Sequence, residues 1–193
     1  MQGVGQSDQR LWLGQQFLDI LRRAVRRDIS VAGEFFAVPQ GQIAYVLAGF
    51  QKQAIDVVCK VGLPYHVHGL SRMLEGSYAT RLEDVAAPDL AGMPEWRREA
   101  VEFSVDHFWL LQSWLKADLG VGAMLGGLRK RHEAEILAEM HPRLLKKLAW
   151  AMHGHFHLNS AMAMQMALIF ADAQASQDRV LIARSGCKLM AAA

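Results

Sequence analysis

The chain of 193 residues predicts an all-α protein: two pseudo-repeated helical units with helix-turn-helix-like hairpins and short extended His-bearing segments. Three observations predict it. Apolar residues recur at helical spacing, first in Leu11, Leu13, Phe17, Ile20, Leu21 and Val25. A His-bearing stretch occurs twice, as Tyr65-His66-Val67-His68 and as His155-Phe156-His157-Leu158, with one offset of 89 residues for both His pairs. Upstream, a shift of 90 residues sets Leu18, Leu21, Val25, Asp28, Val31 and Phe35 against Phe108, Leu111, Leu115, Asp118, Val121 and Leu125. Self-similarity at a fixed period points to copies of one unit. A copy of roughly 70–80 residues has a marginal core by itself, so the two are expected to pack on each other or on a partner.

The elements follow in order. The first unit spans 7–82. Ser7 is the expected N-cap of a helix that runs to about Arg27. Asp28 caps a second helix carrying Val31, Phe35 and Phe36, and Pro39 and Gly41 punctuate the chain. A third helix carries Ile43, Val46 and Leu47 up to Gly49; a fourth carries Ile55, Val58 and Cys59 and stops at Gly62. Pro64 then blocks helix entry, and Tyr65 to His68 is extended. Met73 to Arg81 forms one short helix. Residues 83–94, with two prolines and a glycine, form the linker.

The second unit spans 95–177. It opens with a helix from about Glu95 to Lys116, and the next segment, with Gly120, Gly122, Gly126 and Gly127, is expected to be looser. Helices follow over Lys130 to Glu139 and Pro142 to Met152, proline suiting a first turn. His153 to His157 is extended, Asn159 caps a helix from Ser160 to about Ala175, and 178–193 is a tail.

Composition narrows the function. Hydrophobic content of 52% and charged content of 21% exclude disorder for most of the chain. No apolar run is long enough to span a bilayer, so no membrane partner is expected. There is no basic-then-apolar leader pattern, and two cysteines, Cys59 and Cys187, suit a reducing compartment; a cytoplasmic protein is expected. P-loop, Gly-x-Gly-x-x-Gly and Gly-x-Ser-x-Gly patterns are all missing, so the expectation is a non-enzyme without a cofactor. A net charge of +2 does not demand a polyanion, and local basic clusters carry more information.

Two hairpins carry the candidate DNA-binding residues. In the first unit, the helix after Gly49 offers Gln51, Lys52 and Gln53, types suited to base edges and phosphates. In the second, Arg143, Lys146 and Lys147 share one helix face at i, i+3 and i+4, behind the cluster Arg129-Lys130-Arg131. A solvated helix face is the plainer account of each cluster alone. His153, His155 and His157 would share one face of an extended segment and suit Zn²⁺ or Ni²⁺, as would His66 and His68. No Cys-x-x-Cys or His-Glu-x-x-His accompanies them, so polar strand-face residues and no metal are expected. Met152, Met162, Met164 and Met166 are expected in a core or an oligomer interface.

From Leu21-Arg22-Arg23-Ala24-Val25-Arg26-Arg27-Asp28 to Tyr65-His66-Val67-His68, the chain resembles the FlhD family, the D subunit of the flagellar master transcriptional activator. The stretch from Leu111-Gln112-Ser113-Trp114-Leu115-Lys116-Ala117-Asp118 to His155-Phe156-His157 resembles it again, most closely at Gly122-Ala123-Met124-Leu125. That family carries one copy per subunit and dimerises, so two copies in one chain imply an internal mimic of the dimer. The resemblance implies an all-α transcriptional regulator or co-regulator that binds DNA with a protein partner, either a C-type co-regulator or itself, in flagellar-type or mobile-element control. Without four cysteines the chain is not the zinc-binding C-type subunit. The alternative expectation is a non-enzymatic adaptor that forms oligomers without touching DNA.

Overall fold

Leu13, Phe17, Leu18, Ile20, Leu21, Ala24 and Val25 stack on one side of a helix, and all are buried. That stripe is the inner face of α1 (Gln6–Arg27) in a computed structural model that describes residues 5–38 and 63–159. The expected helices over 43–59 and 160–175, and Cys59, Cys187, Met162, Met164 and Met166 with them, lie outside the described residues. At the start of α1, Gly5 rather than Ser7 is the N-cap: its carbonyl accepts from the N–H groups of Asp8 and Gln9. At the other end Arg26 and Arg27 occupy the last turn, where cations complement the helix dipole.

Asp28 stops α1 in an extended conformation (φ −156°, ψ 104°) and starts α2 (Ile29–Phe35) by accepting from Ser30 N at 3.0 Å and Val31 N at 3.1 Å. After α2 the described chain resumes at Leu63, and β1 (Tyr65–Val67) follows Pro64. Gly69, at φ +75°, turns the chain into α3 (Leu70–Leu74), and α4 (Tyr78–Glu83) comes next. The single helix expected from Met73 to Arg81 is therefore two. Gly76 at φ +60° breaks it, and the Arg81 guanidinium donates to the carbonyls of Met73 and Glu75 that the broken helix leaves open.

The long helix α5 (Glu95–Ala117) is central and packs on α1 and on the three following elements α6 (Leu119–Gly126), α7 (Arg131–Glu139) and α8 (Pro142–Met152). Asp118 ends it as Asp28 ends α1, at φ −156° and ψ 114°, and its side chain accepts from Val121 N at 2.8 Å. The glycine-rich segment is not loose. It forms the regular helix α6, and Gly122 lets that helix approach α5, since a Cβ there would stand 2.6 Å from Leu115 N.

Polar contacts, two of them from the buried side chains of Gln112 and Ser104, bind the rest to α5. Gln112 Nε2 donates to the carbonyls of Leu137 (2.9 Å) and Met140 (2.7 Å), which satisfies the C-terminal end of α7. Ser104 Oγ donates to Ala149 O of α8 at 2.7 Å. Trp114 Nε1 donates to Gln9 Oε1 of α1 at 2.7 Å, and Arg23 meets Glu99 at 3.0 Å.

β2 (Phe156–Leu158) closes the described chain and pairs antiparallel with β1: Tyr65 opposite Leu158, His66 opposite His157, Val67 opposite Phe156. One hydrophobic cluster runs from Leu13 of α1 through Phe103 and Phe108 of α5 to Leu158 of β2, so residues of both expected units share a core. The protein is mostly helical. Among the described residues, no helix is long and apolar enough to cross a membrane.

Candidate functional site

The two strands are short, yet alternation sorts their side chains cleanly. Tyr65, Phe156 and Leu158 are buried and Val67 is half-buried, all turned to the core. Beneath them lies an aromatic floor: Tyr65 to Phe103 at 5.4 Å, Phe103 to Phe156 at 5.0 Å and Phe17 to Tyr65 at 4.7 Å between ring centroids. The outer face carries histidines from both strands. His66 stands opposite His157, and beyond the ladder His68 N donates to His155 O at 2.8 Å. The His68 and His157 rings stack at 4.9 Å and 12°, and His66 meets His157 edge-on at 5.7 Å.

One nitrogen each from His66, His68 and His157 lies within 4.8 Å of the other two. Burial, then the neighbouring His68, His66 and His155, lowers the pKa of His157 to about 4. Burial, then His68 and Arg129, lowers His66; burial, then His68 and His153, lowers His155. These three imidazoles are neutral near pH 7 and each keeps one unprotonated nitrogen.

His153, His155 and His157, expected to share one face of an extended segment, do not all do so. His153 is helical in backbone (φ −59°, ψ −26°), because α8 runs to Met152 and turns at His153-Gly154 before the strand begins. Its Nδ1 is bonded to Trp150 O at 2.6 Å and its ring leans on Phe35. The cluster is instead assembled across the ribbon, from His66 of β1, His68 just past its end and His157 of β2.

The second candidate surface is the α7–α8 hairpin. His141 caps α8, its Nδ1 accepting from Arg143 N at 3.2 Å, and Pro142 occupies the first turn. Arg143 and Lys147 converge on Glu83 of α4, at 3.2 and 3.8 Å. Lys147 also donates to the Glu83 carbonyl, so the end of the expected 83–94 linker is docked. Lys146 lies 5.2 Å above the Trp150 ring. Lys130 stands 3.6 Å from Glu75 and 3.8 Å from Glu133, and Arg131 pairs with Glu135 at 2.8 Å within α7. Arg129 and Lys130 line, with His66 and His68, a groove of about 1010 Å³. Gln51, Lys52 and Gln53 lie outside the described residues.

Two polar residues of this region went unremarked in the sequence. His107 is buried on α5, bonded through Nδ1 to the Tyr65 hydroxyl at 2.9 Å, and burial lowers its pKa to about 3. Its place at the four-residue spacing between Phe103 and Leu111 puts it on the inner stripe and was the available signal. Glu133 is buried at the start of α7 and accepts from Ser71 Oγ of α3. No family model matches the chain, and no curated protein and no solved structure matches it.

Proposed function

We propose that the chain is a cytoplasmic transcriptional regulator or co-regulator of FlhD-like type, in which two copies of one helical unit pair within a single polypeptide. It binds DNA together with a protein partner. The observation that carries this reading is the matched geometry of the two halves. Asp28 and Asp118, 90 residues apart, end long helices at nearly the same dihedral angles and cap the next helix in the same way, and the two His-bearing strands pair with each other. An antiparallel pair is what a two-fold relation between copies of one strand produces.

The α7–α8 hairpin is the helix-turn-helix candidate of the second copy. From Arg129 to Lys147 it holds six Lys and Arg against three Glu. The ion pairs of Arg143, Lys130 and Arg131 are solvent-exposed on the cation's side. Such pairs are worth about 0–1 kcal/mol each, so exchanging a carboxylate for a phosphate there costs little.

The test is anisotropy with labelled genomic fragments, titrated in salt, with the chain alone and with candidate C-type partners. Affinity is expected to fall linearly in log–log form with salt, and Arg143→Ala with Lys146→Ala to lower the slope by about two. Affinity that ignores salt, or no binding even with a partner, contradicts the reading.

A second reading, a protein-binding adaptor, is favoured by exposed apolar residues. Val31 (46% exposed) and Val121 (39%) sit at matching places on α2 and α6, with Ile29 and Met124 (72%) beside them. Light scattering separates the two readings, an adaptor assembling without nucleic acid.

A further inference from the structure

We propose that His66, His68 and His157 form a site for a divalent first-row transition-metal ion, of the Zn²⁺, Ni²⁺ or Cu²⁺ kind, that clips β1 to β2. Three points no more than 4.8 Å apart have a common point within about 2.8 Å of each, and Zn–N bonds are about 2.0–2.1 Å, so side-chain torsions have to close roughly 0.7 Å per ligand and turn the stacked His68 and His157 rings until their in-plane lone pairs converge. The backbone already fixes the arrangement. The ladder sets His157 directly opposite His66, and His68, two residues on and just past the end of β1, continues the pairing through its N–H to His155 O, which keeps it on the same side as His66.

The donor set chooses the ion. Three imidazoles and no carboxylate disfavour Mg²⁺ and Ca²⁺, which take oxygen ligands, and suit borderline ions. His66 and His68 are exposed and His157 is partly so, which leaves a fourth position open to water or to a partner's donor. Arg129, which faces His66 electrostatically, opposes a cation there and makes the site weaker than a closed structural one. The consequence is structural. The ion joins residues 91 apart in the sequence, and both strands must be paired for it to bind, so metal stabilises the closed arrangement of the two halves. The site does not depend on DNA binding; it needs only the ribbon.

The experiment uses the untagged full-length chain, stripped with chelator and titrated calorimetrically with Zn²⁺, Ni²⁺ and Cu²⁺, with Mg²⁺ for comparison. One equivalent per chain is expected for the transition metals and no saturable heat for Mg²⁺. A hundredfold excess over Kd is expected to raise Tm by roughly 5–10 °C. His157→Asn, His66→Asn and His68→Asn are each expected to weaken binding tenfold or more, while His132→Asn leaves it unchanged. His66 and His68 are exposed, so their variants remain informative should His157→Asn fail to fold. No saturable binding, or binding that survives His66→Asn and His68→Asn, overturns the proposal.

Discussion

At the scale of the residue, the buried histidine His107 makes the folded protein less stable in acid. Its pKa is about 3 in the folded chain against an ordinary 6.5, because burial penalises the imidazolium. Above pH 6.5 the ring is neutral in both states and its contribution to stability is complete. As pH falls from 6.5 towards 3, the unfolded chain takes up a proton that the folded chain refuses, so stability declines. His66, His155 and His157 are lowered too and act in the same direction. His107→Gln offers the Tyr65 hydroxyl both a donor and an acceptor and removes one titration. Urea denaturation at pH 7, 6, 5 and 4 is expected to show a shallower loss for this variant than for the wild type; equal slopes would contradict the assignment. The spacing of Phe103, His107 and Leu111 puts His107 on an apolar stripe but carries no sign of Tyr65, 42 residues away, which bonds one of its two ring nitrogens.

At the scale of the element, the aspartates between helices do the same work twice. Each ends one helix and begins the next, and loss of such a cap costs about 1 kcal/mol, within a range of roughly 0.5–2. Asp28→Ala and Asp118→Ala are expected to destabilise by similar amounts in chemical denaturation, and their effects to add. A negligible effect at either position would show that the matched dihedrals are incidental.

Elements defined by local chemistry were legible in the sequence. Pro142 marks the start of α8, Pro64 the entry to β1, and Asp28 and Asp118 the helix boundaries. Where the sequence misled, the missing information was long-range. Glycines near Gly122 read as looseness, whereas α5 passing behind α6 turns the same residue into a packing requirement. One helix was expected across Gly76, where the Arg81 side chain instead satisfies the broken end.

At the scale of the whole molecule, the ribbon holds the two proposals together. The sequence showed the His-bearing stretch twice and predicted both copies extended, but not that they pair with each other. Strand pairing across some 90 residues has no local signature. Hence spacing alone set His153, His155 and His157 on one face, whereas the three histidines that converge, His66, His68 and His157, come from both stretches. The basic residues of α7 and α8 were legible by spacing, but their carboxylate neighbours Glu75 and Glu83, on α4 and the turn before it, were not.

Both the internal dimer and the metal clip require β1 and β2 to pair in this register, and NMR on the labelled chain measures that most directly. Pairs at Pro64/Asn159, His66/His157 and His68/His155 belong to the hydrogen-bonded set, which leaves Tyr65/Leu158 and Val67/Phe156 as the close pairs. Strong Hα–Hα NOEs are expected between Tyr65 and Leu158 and between Val67 and Phe156. Finding neither, or finding them shifted by one residue so that His66 no longer faces His157, would contradict the account.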